Sequence, residues 1–405
     1  SQSGRKGPVV IALPEDILTE KAEAAEMMVT PPKVSSDIKR EMEGVCKMLQ
    51  NAKRPVFILG GSDWSSSALQ KFQDFAEEHH WPVATSFRRQ DLFDHRSASY
   101  VGELGTGANP ELVRLIRDEA DLVIGVNTRL SEITSQGYSL LSVPRPRQKF
   151  IHIYPDIDEL GKIYSADIGV LSKPNNFISN LPELQSCTAP PEWRRQLRGV
   201  YEGWSAIPAD RDKFPVDMDH IFQTIKESLP ADAIVTTDAG NFSGWAQRYL
   251  SYGRPGRLLA PTSGAMGYGV PSAIAANIAE PARKTIALVG DGGFMMNSQE
   301  IETAVRLNLN MVVLILNDSS YGMIRWKQAS SGFEDWGLEY NNPDFVKYAE
   351  SYGAHGHRIT SVTGFIETVD RAYREGGVHL IDLPVDYSQN VKDLITDLRD
   401  HKSIV

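Results

Sequence analysis

Two short apolar runs rich in β-branched residues, TIALVG (Thr285–Gly290) and MVVLILN (Met311–Asn317), flank a stretch with helical spacing, SQEIETAVRLN. This pattern predicts a βαβ unit, whose two strands run parallel and end on the same edge of a sheet. Asn297 and Glu300 have the spacing of a capping box that would open the intervening helix.

The same alternation recurs along the chain. Between 37 and 181 it reads RPVFILGG, SSSALQKFQDFAEEHH, PVATS, NPELVRLIRDEA, DLVIGV and KFIHIY, strands and helices in turn. Beyond about 216 it resumes with AIVTTD, GNFSGWAQRYL, SGAMGYGVPSAIAANIA and the βαβ unit, and closes with NPDFVKYAESYG and VHLIDLPV. The fold class expected is α/β, two doubly wound parallel-sheet domains covering 37–181 and 216–405. A Pro- and Trp-bearing stretch, 182–215, reads as the linker between them. Residues 1–36 read as the tail of an upstream domain plus a polar linker, with GPVVIALPEDI (Gly7–Ile17) as a buried strand. GELGTG (Gly102–Gly107) lacks the spacing of a dinucleotide fingerprint and reads as a plain loop that does not sit directly between a strand and a helix.

Composition narrows the function classes. A 405-residue chain with 41% hydrophobic residues can bury a sizeable core. Its formal net charge of -10, with no basic stripe, argues against a nucleic-acid partner. No apolar run approaches the roughly 20 residues that span a bilayer, and no secretory leader opens the chain, so a cytoplasmic protein without a membrane partner is expected. Cys46 and Cys187 stand in unrelated contexts and are expected to be isolated, reduced thiols. His355 and His357, lacking a nearby acid or Cys, are expected to be structural or surface residues.

The chemistry concentrates at the ends of the two runs of the βαβ unit. Gly290-Asp291-Gly292 follows the first and Asn317-Asp318 ends the second, with 24 residues between Gly292 and Asn317. If the strands are neighbours or next-but-one, Asp291 and Asp318 reach one cation, and their oxygens suit Mg²⁺ or Ca²⁺ better than zinc. Gly292 and Gly293 open the way to backbone N–H groups at a helix start, where a phosphate bridged to that metal fits.

These residues resemble the diphosphate-binding motif of thiamine diphosphate (ThDP) enzymes. DAGNFSGWAQRYL, TSGAMGYGVPSAIAA, NDSSYGMI, NPDFVKYAESYGA and IDLPVDY are similar, in order, to segments of acetolactate synthase large subunits. The resemblance covers nearly the whole chain: 37–181 looks like that family's central domain and 216–405 like its diphosphate domain. GPVVIALPEDI looks like the end of its N-terminal pyrimidine domain.

The resemblance implies roles for residues at matching positions. Asp291 and Asp318 would ligate Mg²⁺ by side chain and Ser320 by its carbonyl. Gly240, Asn241, Phe242, Gly292, Gly293 and Gly322 would lie along the diphosphate. Met266 would bend the cofactor into its V shape, with Gly264 and Met266 offering backbone groups to the aminopyrimidine. Met323, Trp326 and Lys327 would line the acceptor side of the substrate pocket. The activity implied is decarboxylation of a 2-keto acid such as pyruvate and ligation of the product to a second keto acid, by a homodimer or homotetramer. Relatives hold FAD in the central domain, and Arg129 of VNTRLSE matches a region that touches the flavin.

The sequence also departs from the family pattern. Asp318 stands where many members have a second Asn, and Lys327 where biosynthetic members have a Trp, with Trp326 one residue earlier. The glutamate that activates the aminopyrimidine belongs to the pyrimidine domain, after which this chain is expected to begin. Three readings follow: a fragment of a longer enzyme, an enzyme whose pyrimidine domain is on another chain, or a module that holds ThDP and Mg²⁺ without catalysis. A nucleotide-binding oxidoreductase is a further alternative, which the poor fingerprint at Gly102 disfavours.

Overall fold

The computed structural model describes residues 7–21, 37–206, 218–253, 256–385 and 387. Most of the expected first linker and the C-terminal VKDLITDLRDHKSIV lie outside them.

The strands, in chain order, are β1 (Pro55–Leu59), β2 (Val83–Ser86), β3 (Tyr100–Leu104), β4 (Leu122–Val126), β5 (Lys149–Tyr154), β6 (Ile168–Leu171), β7 (Ile234–Thr237), β8 (Leu258–Leu259), β9 (Thr285–Gly290), β10 (Met311–Asn317), β11 (His355–Arg358) and β12 (Val378–Pro384). They form two six-stranded sheets, ordered β3-β2-β1-β4-β5-β6 and β11-β12-β10-β9-β7-β8. Strand pairing within both sheets is parallel. These are the two expected α/β units.

Each sheet is covered on both faces, which is why central strands such as β1, β4, β9 and β10 are buried almost throughout rather than alternating. In β1, Phe57 and Leu59 join one core and Val56 and Ile58 the other. In β10, Val312, Leu314 and Leu316 face one core while Met311, Val313 and Ile315 face the opposite one.

Several helices begin where the sequence supplies oxygen acceptors for their first N–H groups. Ser65 accepts from Ala68 N, Asn109 from Glu111 N, and Asp344 from Val346 N and Lys347 N. Among the described residues no helix is long and apolar enough to cross a membrane.

Some elements differ from the sequence reading. Within 182–215, Pro191–Ser205 is a helix, and it inserts Trp193 and Leu197 into the core beneath the first sheet. Apolar GPVVIAL forms no strand: Val9, Val10 and Ile11 are exposed, and among the described residues no strand pairs with them. An apolar run without a neighbour has no partner for its backbone hydrogen bonds.

The capping box does not form either. Asn297 Nδ2 instead donates to Gly267 O at 2.7 Å, and Glu300 Oε2 accepts from Thr303 Oγ1. The helical stretch there is split, Asp291–Met296 and Ile301–Arg306, by a 3-10 turn at Ser298–Glu300.

GELGTG does connect a strand, β3, to a helix, Pro110–Asp118, contrary to its placement from sequence. Its glycine has a packing reason: a Cβ on Gly107 would stand 3.3 Å from Gly244 Cα of the second unit. The two cysteines are not isolated, since their Sγ atoms lie 2.8 Å apart.

Candidate functional site

In open α/β sheets, ligands bind beyond the carboxyl ends of the strands, where the order of winding reverses. For the second sheet that point lies between β7 and β9. β9 and β10 are direct neighbours, with Leu316 opposite Gly290. Asp291 and Asp318, one and two residues beyond this pair, therefore leave from one edge.

A cavity opens at this edge. Its wall includes Gly240, Asn241 and Phe242 after β7, and Asp291, Gly292 and Gly293 after β9. Asp318, Ser320, Gly322 and Met323 after β10 complete it, with Met266 opposite. Three residues expected here stand apart from the wall. Gly264 is exposed on the turn that follows Pro261, while Trp326 and Lys327 lie further along the helix Gly322–Ser330 that begins at the cavity.

The electrostatics favour a cation. Asp291 is buried and its carboxylate is held on both sides, Oδ1 accepting from Gly292 N at 2.9 Å and Oδ2 from Asn342 Nδ2 at 2.6 Å. Burial raises its pKa against those hydrogen bonds. Asp318 is pushed up to about 7, first by burial and then by the neighbouring Asp291 carboxylate. Two carboxylates crowded in this way repel each other unless a proton or a metal lies between them.

The third oxygen, Ser320 O, accepts from Tyr340 Oη at 3.2 Å. That hydroxyl is the neutral donor at the place a cation would share with Asp291 and Ser320 O. Among the described residues no three His, Cys, Asp or Glu side chains converge as a metal cage. The donor set is two carboxylates and a carbonyl, which suits a hard ion that keeps waters and takes further oxygens from a ligand.

The residues present also fit a diphosphate. Asn241 Nδ2 is buried without a hydrogen-bond partner, a donor left for an anion. A Cβ on Gly322 would come within 2.9 Å of Asp318 Oδ2 and 3.0 Å of Asn241 Nδ2, so only glycine leaves this space open. Ser319 holds a φ of 52°, a left-handed conformation that non-glycine residues rarely adopt, in the turn between Asp318 and Ser320.

Met266 is carried on a loop fixed by a residue the sequence reading missed. The buried Asp238, just after β7, accepts from Gly267 N at 2.9 Å and Gly269 N at 3.2 Å. Gly264 and Gly267, with φ of 72° and 85°, shape the turn on either side of Met266. Tyr340 and Asn342 were missed as well, because they reach the cavity from a loop more than twenty residues beyond Asp318 and no short spacing announces them.

The first sheet has its own switch point, between β1 and β4. A cavity of about 370 Å³ lies there, lined by Gly61 and Ser62 after β1 and by Asn127, Thr128 and Arg129 after β4.

Comparison with known proteins agrees with this geometry. Residues 238–383 match the thiamine pyrophosphate enzyme C-terminal TPP binding domain, and residues 42–181 the thiamine pyrophosphate enzyme central domain. The acetolactate synthase isozyme 2 large subunit of Escherichia coli is 27% identical over 97% of this chain and 71% of its own length. A probable acetolactate synthase large subunit of Methanocaldococcus jannaschii is 29% identical over 95% and 67%, and the acetolactate synthase of Bacillus subtilis 25% identical over 96% and 70%. Two parallel sheets, an acid pair at the switch point of the second, and matches to both domain models together place this chain in the thiamine pyrophosphate enzyme family, alongside the acetolactate synthase large subunits.

Proposed function

We propose that the cavity between β7 and β9 holds thiamine diphosphate through Mg²⁺, and that the chain serves an enzyme that decarboxylates a 2-keto acid such as pyruvate and ligates the product to a second keto acid. The observation that carries this reading is the oxygen-only set of Asp291, Asp318 and Ser320 O beside the unpartnered Asn241 amide. When bound, the cofactor supplies the carbanion chemistry and the protein supplies orientation.

In this reading Asp291 and Asp318 bind the metal by side chain and Ser320 by its carbonyl. The backbone at Gly240, Phe242, Gly292, Gly293 and Gly322 admits the diphosphate, and Asn241 donates to it. Met266 would support the cofactor on the loop that Asp238 holds, and it would offer backbone groups to the aminopyrimidine together with Gly264 on the exposed turn before it. Met323 flanks the reacting end. Trp326 and Lys327 shape the acceptor side, where a Lys cation attracts a carboxylate.

A homodimer or homotetramer suits the exposed apolar residues on the elements of the site: Met295 and Met296 after Gly293, Ile324 after Gly322, and Phe333 and Trp336 beyond. A cytoplasmic setting accords with the expected small-molecule substrates. The cavity between β1 and β4, with Arg129 in its wall, is the place for FAD in this reading. Flavin absorbance that stays with the protein through gel filtration would support it, and its absence after incubation with excess FAD would remove it.

The test of the main reading is calorimetric titration with ThDP with and without Mg²⁺, followed by an assay for CO₂ release from pyruvate. Metal-dependent binding with turnover supports the enzyme. Binding without turnover favours a holding module, and turnover without ligation favours a simple decarboxylase.

A further inference from the structure

The two cysteines lie 141 residues apart in sequence, yet their Sγ atoms are 2.8 Å apart, closer than unbonded sulfurs normally approach. Cys46 sits in the helix Lys39–Asn51 that opens the first unit, and Cys187 in the turn that leads from its last strand toward the helix Pro191–Ser205. The backbone of Cys187 is fixed from two sides: its N–H donates to Leu184 O at 2.9 Å, and its carbonyl accepts from Trp81 Nε1 at 2.9 Å. Its thiol also faces Cys46 O, at 3.5 Å. Cys46 Sγ also approaches Ser186 Oγ, at 3.7 Å, but Cys187 Sγ is much the nearer neighbour.

Their exposures differ. Cys187 is buried, and Cys46 is partly open to solvent. Burial, then contact with Cys46, pushes the Cys187 thiol up to about 12. Thiol exchange depends on access and on thiolate character, so the accessible sulfur reacts first and the buried one resolves.

We infer that Cys46 and Cys187 form a disulfide modification site that joins the first helix of the central unit to its last turn. In the reaction the Cys46 thiolate attacks one sulfur of a small-molecule disulfide such as oxidised glutathione, forming a mixed disulfide and releasing one glutathione thiolate. The Cys187 sulfur, as it gives up its proton, attacks Cys46 and expels the second glutathione. Two protein thiols are oxidised, one glutathione disulfide is reduced to two thiols, and the two protons end on the glutathiones. The bond closes a long loop, which restricts the unfolded chain and so favours the folded one. The inference is independent of the proposed cofactor chemistry.

The test is incubation of the fully reduced chain with oxidised glutathione, followed by intact mass and thiol titration under denaturing conditions. The expected product has lost two hydrogens, carries no glutathione, titrates no thiol and remains a single chain without reductant. Its Tm should rise by about 5 °C or more over the reduced form. Cys187→Ser should retain one glutathione on Cys46, and Cys46→Ser should take up none while folded. A lasting glutathione adduct on the wild-type chain, chains linked to one another, or two thiols still titrating would overturn the inference, as would an unchanged Tm. If Cys187→Ser fails to fold, the wild-type mass and the Cys46→Ser variant still decide.

Discussion

Leu316 stands opposite Gly290 across two neighbouring parallel strands, so that Asp291 and Asp318 project from one sheet edge into one cavity. A buried acid, Asp291, and a half-buried one, Asp318, are brought together by backbone register, and among the described residues no basic side chain is hydrogen-bonded to Asp291, an arrangement that a divalent cation relieves.

Replacing one acid should therefore separate folding from binding. Asp318→Asn removes the repulsion and is expected to stabilise the ligand-free chain by about 1 kcal/mol. The same change should weaken Mg²⁺-dependent ThDP binding by roughly tenfold, equivalent to about 1.4 kcal/mol. Asp291→Ala should weaken binding further, because it deletes a metal-binding carboxylate and with it the acceptor of the shortest Asn342 Nδ2 hydrogen bond. Calorimetry paired with thermal melts checks both effects, and a loss of stability in Asp318→Asn would contradict the repulsion argument.

Space at the same edge is the subject of a second prediction. Gly322→Ala places a methyl 2.9 Å from Asp318 Oδ2 and 3.0 Å from Asn241 Nδ2. Since both neighbours are side-chain ends that can give way, the melt should shift by about 1 kcal/mol or less, while ThDP affinity falls by about tenfold or more. Equal affinity in the variant would mean that the diphosphate does not pass this glycine.

The contact between the two units should be pH-dependent through Glu103. This carboxyl is buried on β3, where burial raises its pKa to about 8 and the Arg88 charge only partly opposes the shift. Gln247 of the second unit turns its amide toward Glu103 Oε1 at 3.0 Å, and Oε2 has no partner. The folded protein thus binds a proton that the unfolded chain releases above its ordinary pKa of 4.5. The sign is a loss of stability as pH rises from that value to about 8, with a slope of at most roughly 1.4 kcal/mol per pH unit. Glu103→Gln keeps the acceptor without the charge, so the variant should melt higher than wild type at pH 8 and lose that advantage near pH 5. Parallel melting curves at every pH would sink the assignment.

Residue placement was legible in the sequence at strand ends and illegible where distant segments pack together. The runs TIALVG and MVVLILN, with acids at their ends, were enough to place Asp291 and Asp318 together, because parallel register leaves little freedom. Tyr340 and Asn342 were not legible, since they reach these acids from a loop with no pattern of its own. Cys46 and Cys187 meet only after the whole central sheet has wound. Asn297 has the residue type and spacing of a helix cap, but its amide goes to Gly267 O and braces the Met266 loop, a tertiary demand that overrides the local signal. The helix Pro191–Ser205 was obscured by its Pro and Trp content, yet the Pro opens the helix and Trp193 anchors it in the core.

The central claim is that Asp291 and Asp318 hold a diphosphate through a divalent metal. The most direct measurement is calorimetric titration of the purified chain with ThDP, run with Mg²⁺ and again after chelation. Saturable binding that disappears when Mg²⁺ is removed, and that Asp291→Ala weakens by more than about tenfold, is the predicted result. Binding of equal strength with and without metal, or no binding by this chain and none by a version carrying an upstream pyrimidine domain, would contradict it.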